Sequence, residues 1–566
     1  MRQTEELSSR LISDTKISCG NSREAGIFAL AAAADEVAAK GAVPYGANVK
    51  VMLPDGTFKS RMNGMKKMIK KSILFLSVIG LCSCNDFLKE ASQDEVIPST
   101  IEDLDQLLAY EGYPRYDRQL MPYLDILADD ATQYITSNNP ISTVTKYSPL
   151  YLWGGRSSAN NETMFEDYQN LPNPTNGTKS VDVDSYERFY KMIAGCNVVL
   201  DMIGDVDGES NMKKRVEGEA RVLRSFYYFN LVNLYAYPYN APNAPEGKSA
   251  GVPLKLTSII DQNSVPRSTV AEVYNHIISD VEKGISLLTE TATKGSKFRI
   301  GISTAHLLAS RYYLFMANWE KAAEHATAVF STPGNNLLLL DITTTDYPEA
   351  INNGNFPCPF TLNTSEIMFF YANSAEHYAV ESLYGSTCFM ASDELLNCYA
   401  DDDQRLKAYL TPYDKDANRK ASSKFAGELK FGACLRLSEA YLNRAEAYAY
   451  MAKAGQHEYM EKAISDLNTI REKRIKNYTS QVWTSSTVDN NADKLIEKCQ
   501  EERRREFCFE GTRWFDIRRY GMKSFSHYVD ESANSGDEYT VEIGTATPRW
   551  VLPIMKTHKE SNPALN

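Results

Sequence analysis

The sequence predicts a mainly α-helical protein in which paired helices are joined to a second, loop-rich region. Three features carry this expectation. Apolar residues recur at three- and four-residue steps through much of the chain past Pro98, two distant segments share one helix–turn–helix pattern, and two long stretches have no sustained period. The first stripe is Tyr186, Phe189, Tyr190, Ile193, Asn197 and Leu200, broken by Gly204-Asp205, which predicts a helix over 186–203. Val216, Ala220, Leu223, Tyr227, Leu231 and Leu234 form a second, over 216–234, stopped by Pro238. The third runs from Val270 through Val273, Tyr274, Ile277, Val281 and Ile285 to Leu288. Its entry has Thr269 followed three residues later by Glu272, the capping-box pattern.

The two similar segments follow. Ala305, Leu308, Ala309, Tyr312 and Phe315 precede Trp319-Glu-Lys-Ala322, within a helical span of 303–330. Leu437, Ala440, Tyr441, Arg444 and Ala447 precede Gly455 and then Met460-Glu-Lys-Ala463, within 435–470. Small residues on the packing face let paired helices approach closely, as in atypical tetratricopeptide repeats or in ordinary antiparallel helix pairs. The stretches 331–390 and 476–490 carry Gly, Pro, Asn and Ser and read as long loops or short strands.

Composition narrows the function. The 566 residues are 43% apolar, too apolar for a disordered chain. With 61 Lys+Arg against 73 Asp+Glu the net charge is −12, which argues against nucleic acid as a partner. Ten cysteines without CxxC spacing point to neither a zinc ribbon nor a disulfide framework. Cys196, Cys434 and Cys499 fall in helical patterns and read as buried thiols. There is no GxGxxG, Walker A, GxSxG or HExxH, so no cofactor and no metal is expected. His306 and His325 read as ordinary helix residues. Asp129-Asp130 and Asp401-Asp402-Asp403 invite comparison with a glycosidase acid/base pair, but the sequence sets no carboxylate separation, and an enzyme is not expected. Tyrosine is the unusual entry in the composition: 34 Tyr beside 22 Phe and 5 Trp favours half-wet surfaces.

One segment speaks to location. Met65-Lys-Lys-Met-Ile-Lys-Lys71 precedes an apolar run of about ten residues ending at Leu81, too short to span a bilayer. Cys82-Ser83-Cys84 then resembles a bacterial lipobox, with Cys84 as the lipidated residue and Cys82 as its competitor. Residues 65–83 are thus expected to be a lipoprotein signal peptide, and residues 1–64 a mis-assigned start or non-native leader. Residues 1–83 hold 12 Lys/Arg and 7 Asp/Glu, so a chain starting at Cys84 carries 49 against 66, a net charge of about −17.

Five motifs in order resemble one family. They are Cys84-Asn-Asp-Phe-Leu88, Glu217-Gly-Glu219-Ala220-Arg221 through Leu231, and Leu435-Arg436-Leu437-Ser-Glu439-Ala440 through Ala447. The fourth, Glu502-Arg503-Arg-Arg-Glu506 through Glu510-Gly511-Thr-Arg513-Trp514-Phe515-Asp516, is the most specific, and Trp550-Val-Leu-Pro553-Ile554 with Asn562-Pro563 closes the set. Together they resemble the SusD/RagB lipoproteins over about 84–566, with an N-terminal region at 84–290 and a C-terminal region at 291–566. Met555 stands where many members have proline, and residues 1–64 have no counterpart. The resemblance implies a SusD-like fold, a superhelical scaffold of tetratricopeptide-like pairs supporting a loop-rich region. It also implies a lipid-anchored, surface-facing outer-membrane protein that captures oligosaccharide or polysaccharide. The glycan would pass to a TonB-dependent, SusC-like transporter. A RagB-like peptide-binding role is the alternative within the fold. Read physically, Glu502, Arg503, Glu506, Glu510 and Arg513 fix packing and do not mark the ligand site.

A sugar site needs aromatic faces with amides, carboxylates or guanidinium groups beside them. The best local match is Tyr147, Tyr151 and Trp153 with Arg156 downstream and Asn138 and Asn139 upstream. Trp153 is either an exposed platform or a core residue packed on the helix of Tyr186. Tyr371, Tyr378 and Tyr384, with His377, form a second candidate group.

Overall fold

The computed structural model describes residues 98–565, except 115–117, 134–150, 152–183, 261–262, 335, 345–358, 375, 378–388, 414–415, 426–430, 531–537 and 544–549. The chain divides at Pro98, and the second unit, Ser99–Asn566, carries the architecture. The expected leader, the signal peptide and Cys84 lie outside the described residues.

The unit opens with α1 (Ile101–Leu107), where Thr100 Oγ1 accepts from the Asp103 amide and Asp103 accepts in return from Thr100 N. After a single π-helical turn over Leu108–Gly112 come α2 (Leu124–Leu127) and β1 (Ala131–Gln133). The long helices α3 (Ser185–Met202), α4 (Ser210–Tyr235) and α5 (Val270–Glu290) correspond to the three predicted stripes. Tyr186, Phe189, Ile193 and Asn197 are the buried face of α3, as their spacing requires. Helix α4 is buried all round from Val222 to Tyr235, because α3 and α5 cover two of its faces and other helical elements, α1 and the π-helical turn among them, pack against it as well. It stops before Pro238, and the guanidinium of Arg518 donates to the carbonyls of Asn233 and Ala236 at its end.

The capping box of α5 is present, with Glu272 N donating to Thr269 Oγ1 at 3.2 Å and Thr269 N to Glu272 at 2.7 Å. Helices α4 and α5 touch through Gly218 and Gly284. A Cβ on Gly284 would lie 2.6 Å from Val222, so this approach requires glycine. Across the same interface Arg224 pairs with Asp280 at 2.7 Å, nearly sealed from solvent.

The two similar segments are helix pairs. Helices α6 (Ile302–Phe315) and α7 (Trp319–Ser331) pack through Ala305, Leu308, Ala309, Ala322 and Ala326, all fully buried. Strand β2 (Ile367–Tyr371) falls within the aperiodic 331–390 stretch, and β3 (Phe389–Ala391) straddles its end. Short helices α8 (Asp393–Leu396) and α9 (Arg405–Ala408), the hairpin β4 (Leu410–Tyr413) with β5 (Asp416–Ser422), and β6 (Ala433–Arg436) lead to the second pair. That pair is α10 (Leu437–Lys453) with α11 (Tyr459–Glu472), turning at Gly455 with φ +98°. Arg311 grips Glu439 with two bonds of 2.6 Å, locking α6 to α10 so that the pairs stack. The chain ends with α12 (Ala492–Phe507), α13 (Arg513–Arg519), the hairpin β7 (Phe525–Asp530) with β8 (Glu538–Ile543), and α14 (Lys556–Ser561). The unit is mainly helical, as predicted, and its described strands form four two-stranded antiparallel ribbons.

One expectation needs correction. Residues 433–436 are strand, so Cys434 lies in β6 and not in a helix. Its partner strand β2 satisfies these backbone groups, and the helical stripe begins at Leu437. Cys196, Cys434 and Cys499 are free and buried, and burial pushes all three thiols up.

Candidate functional site

The signature segment builds an ionic core. Glu506 on α12 is fully buried and accepts from Arg436 Nη1 at 2.5 Å, Arg474 Nη2 at 2.8 Å and Arg405 Nη1 at 3.1 Å. Glu502 pairs with Arg405 at 2.7 Å, while Glu510 takes Lys424 at 2.6 Å and Arg436 at 2.8 Å. Glu366, just before β2, completes the set with Arg436 and Arg474, and Asp403 holds Arg405 at 2.7 Å. Burial opposes ionisation of Glu506, but the guanidinium groups of Arg474 and Arg436 outweigh it and hold the carboxyl well below the usual range. These charges join α9, β6, the turn after α11, and α12. Their role is to fix packing, as the alternating signs imply.

Of the five acidic residues in the two runs, four are paired and Asp401 is exposed. Asp129 receives two bonds of 2.8 Å from Arg513, and Asp130 receives one of 2.6 Å from Arg504. Asp403 is committed to Arg405, and Asp402 accepts from Gln481.

Two of the candidate aromatics, Tyr151 of the platform and Tyr371 of the second group, are buried, contrary to expectation. Tyr151 is 1% exposed, its ring stacked on His527 at 4.1 Å and 6°. Both ring nitrogens of His527 meet carbonyls, Nδ1 that of Tyr151 at 2.5 Å and Nε2 that of Ala128 at 2.9 Å, so this stretch is clamped to β7. Tyr371 is 8% exposed at the end of β2, a strand buried on both faces, with its ring against Phe226 at 5.4 Å. Neither presents a face to a sugar. His377 is also buried and bonds Asp125 at 2.6 Å. Asn138, Asn139, Tyr147, Trp153, Arg156, Tyr378 and Tyr384 lie outside the described residues.

The described residues offer another aromatic. Phe298 is 47% exposed at the tip of the turn between α5 and α6, where Gly295 takes φ +73°. Ser296 and Arg299 bond each other across this turn at 2.9 Å. The ring rests on Phe431 at 5.2 Å and lies near-parallel to Phe370 at 6.4 Å. Every side of the turn is tied down: Phe370 N donates to Lys297 O at 2.8 Å, and Lys297 Nζ donates to Thr364 O at 2.6 Å. Arg299 reaches Asp105 and Glu219, and Ile300 N donates to Tyr113 OH at 2.9 Å. A rigid, backed, exposed aromatic costs little entropy when it binds. The missed signal was a phenylalanine inside the polar turn Gly295-Ser-Lys-Phe298.

Two cavities compare poorly with this turn. One of about 40 Å³ behind Tyr371, lined by Arg503, Glu510 and Phe515, has room for water and no more. A groove of about 410 Å³ is lined by Tyr186, Tyr190, Lys191, Pro253, Lys255 and His558. Several of its polar groups are taken, Tyr190 OH by Pro253 O at 2.7 Å, Lys191 by Glu187 and His558 by Asp184, while Asn562 Oδ1 is buried there without a hydrogen-bond partner.

The chain resembles known proteins in sequence and in fold. Residues 123–314 match the family described as "Starch-binding associating with outer membrane", and 432–565 match the SusD family. This chain belongs to the SusD/RagB family. The SusD-like protein P2 of Formosa agariphila is 23% identical over 416 residues, 65% of this chain and 75% of that one. A SusD superfamily protein of Bacteroides thetaiotaomicron shares the fold at a TM-score of 0.60 and 22% identity, covering 82% of this chain and 99% of its own. A SusD-like carbohydrate-binding protein of Bacteroides vulgatus matches at 0.58 and 19%, covering 82% and 97%. In this SusD-family chain the signature motif is the ionic core around Glu506. Among the described residues no helix is long and apolar enough to cross a membrane.

Proposed function

We propose that this protein is a non-catalytic, carbohydrate-capturing lipoprotein of the outer membrane, anchored through Cys84, that passes its ligand to a TonB-dependent SusC-like transporter. The observation that carries the reading is SusD-family membership at both ends of the chain, residues 123–314 and 432–565. The Bacteroides vulgatus relative described as carbohydrate-binding, and the description of the first matching family, point the same way. A sugar ring offers a flat C–H face, and Phe298 presents a fixed aromatic face that fits it. Trp153, with Tyr147, Asn138, Asn139 and Arg156, supplies a second set of suitable groups in one stretch of sequence, and Tyr378 and Tyr384 a third.

The test is calorimetric titration of the protein with a panel of neutral and acidic oligosaccharides, with peptides as the contrasting class. Saturable binding of at least one glycan is expected. Binding of peptides alone would replace this reading with a RagB-like one, and hydrolysis of a bound glycan would refute the non-catalytic role. Co-purification of a TonB-dependent transporter from membranes tests the hand-over.

A further inference from the structure

His306 on α6 and His325 on α7 face each other, with their Nδ1 atoms 3.0 Å apart. They stand 19 positions apart, so no local motif announces them. His325 is buried and His306 half-buried. The Nε2 of His325 lies 3.0 Å from Glu282 Oε1 on α5, a carboxylate that can only accept, so this nitrogen carries a proton. In the neutral ring His325 Nδ1 then holds a lone pair, and the proton between the rings sits on His306 Nδ1. Tyr313 fixes the arrangement: its ring stacks on His325 at 5.4 Å and 17°, and its hydroxyl donates to the same Glu282 oxygen at 2.8 Å. Nearby charges are Glu324, largely exposed beside His325, and Lys321, which pairs with it at 2.8 Å.

This is the arrangement of a metal-binding histidine with a carboxylate behind it. Metal-ligating imidazoles usually donate their second N–H to a carboxylate, which fixes the ring and raises its basicity. Zinc–imidazole bonds of about 2.0–2.1 Å in tetrahedral geometry put two ligand nitrogens roughly 3.3 Å apart. The present 3.0 Å spacing must open by about 0.3 Å, and the rings, now pointing their Nδ1 atoms at each other with centroids 5.2 Å apart, must turn so that both lone pairs converge on the ion. We propose that His306 Nδ1 and His325 Nδ1 together bind a divalent transition-metal ion such as Zn²⁺, with Glu282 orienting His325 from behind. The bridging proton moves through solvent to His306 Nε2, so both rings stay neutral and each gives one lone pair. Among the described residues no three or more His, Cys, Asp or Glu side chains converge on one point, so water completes the coordination shell.

The experiment titrates the full chain, freed of metal, with Zn²⁺ by calorimetry and with Cu²⁺ by electron paramagnetic resonance. One ion per chain is expected, with two imidazole nitrogens in the copper spectrum. His306→Gln should weaken binding by about tenfold or more and leave one nitrogen. Glu282→Gln should weaken it by about tenfold through the ring it orients. His325→Gln is buried and can fail to fold, so His306→Gln with an unchanged melt decides the matter. Unaltered affinity and spectrum in His306→Gln would overturn the site, as would absence of saturable one-to-one binding in the native chain. Glycan titration of the same variant keeps this result separate from the proposed function.

Discussion

Replacing Glu506 by Gln tests whether the signature motif is an ionic clamp. The substitution keeps shape and one oxygen but changes the other into an amide nitrogen. Glu506 Oε1 accepts from Arg436 at 2.5 Å, Arg474 Nη2 at 2.8 Å and Tyr409 OH at 3.1 Å, and a glutamine oxygen can keep these. Glu506 Oε2 accepts from Arg474 Nε at 3.0 Å and Arg405 Nη1 at 3.1 Å. With an amide there, two guanidinium donors face a third donor. Each charge-assisted bond is worth about 1.5–3 kcal/mol, so the loss is about 3–6 kcal/mol. That agrees with about 3–5 kcal/mol for removing one partner of a buried pair. Urea unfolding followed by far-ultraviolet dichroism measures it. In a unit running Ser99–Asn566, a melt moves by only about 1 °C per kcal/mol, so the urea midpoint is the better readout. Glu501→Gln, on the partly exposed side of α12, is the control and should change stability by under about 0.5 kcal/mol. A loss below about 1 kcal/mol in Glu506→Gln would refute the clamp.

Other outcomes follow from single observations. Burial pushes Asp280 up, but His276 and Arg224 outweigh it and bring its pKa from 3.8 to about 2. The folded state then binds fewer protons than the unfolded one, so the contribution of about 2 kcal/mol is whole above pH 3.8 and disappears as pH falls through 2. The stability gap between wild type and Asp280→Asn should therefore narrow between pH 4 and pH 2; a constant gap would contradict the pairing. Phe298→Ala should weaken glycan binding by about tenfold with the melt nearly unchanged, since half of the ring is already in water; undiminished affinity would remove it from the site. Trp153→Ala should do the same by about 2 kcal/mol, whereas a fall in melting temperature with binding retained would make Trp153 a core residue. Cys84→Ala should free the protein from membranes, and mass spectrometry of the native N-terminus should find no peptide from residues 1–64.

The helices were legible because each buries one stripe against a neighbour. Tyr186, Phe189 and Ile193, or Val273, Ile277 and Val281, can be read at their spacing without knowing what covers them. The Thr269–Glu272 box was legible for the same reason: its partners are three residues apart. Strand β6 was not, because Ala433–Arg436 owes its conformation to β2, more than sixty residues upstream, and continues directly into the helical stripe of α10. The strands in 331–390 likewise rest on pairing that local periodicity does not encode.

The site was harder for a different physical reason. Aromatic residues near Pro and Gly mark irregular backbone, but irregular backbone is not the same as exposed backbone. Tyr151 sits in such a stretch and is nonetheless covered, because His527 from β7 stacks on its ring and bonds its carbonyl. Tyr371 is in an aperiodic region yet ends a strand enclosed on both faces. Phe298, by contrast, is held out by contacts spread along the chain: Lys297 on Thr364, Arg299 on Asp105 and Glu219, and the ring on Phe431. Its exposure is produced by anchoring the backbone beneath it, and those anchors are all distant in sequence. The signature motif shows the inverse. A run of charges is usually a solvated face, but here Glu502, Glu506 and Glu510 are buried, as the packing role read from their alternating signs requires, since Arg405, Arg436, Arg474 and Lys424 arrive from other elements to neutralise them. The family is therefore recognised by buried residues, while the proposed ligand contact, Phe298, stands on an exposed turn apart from them. That division lets one scaffold serve different ligands, because changing an exposed turn such as Gly295–Phe298 leaves the ionic clamp intact.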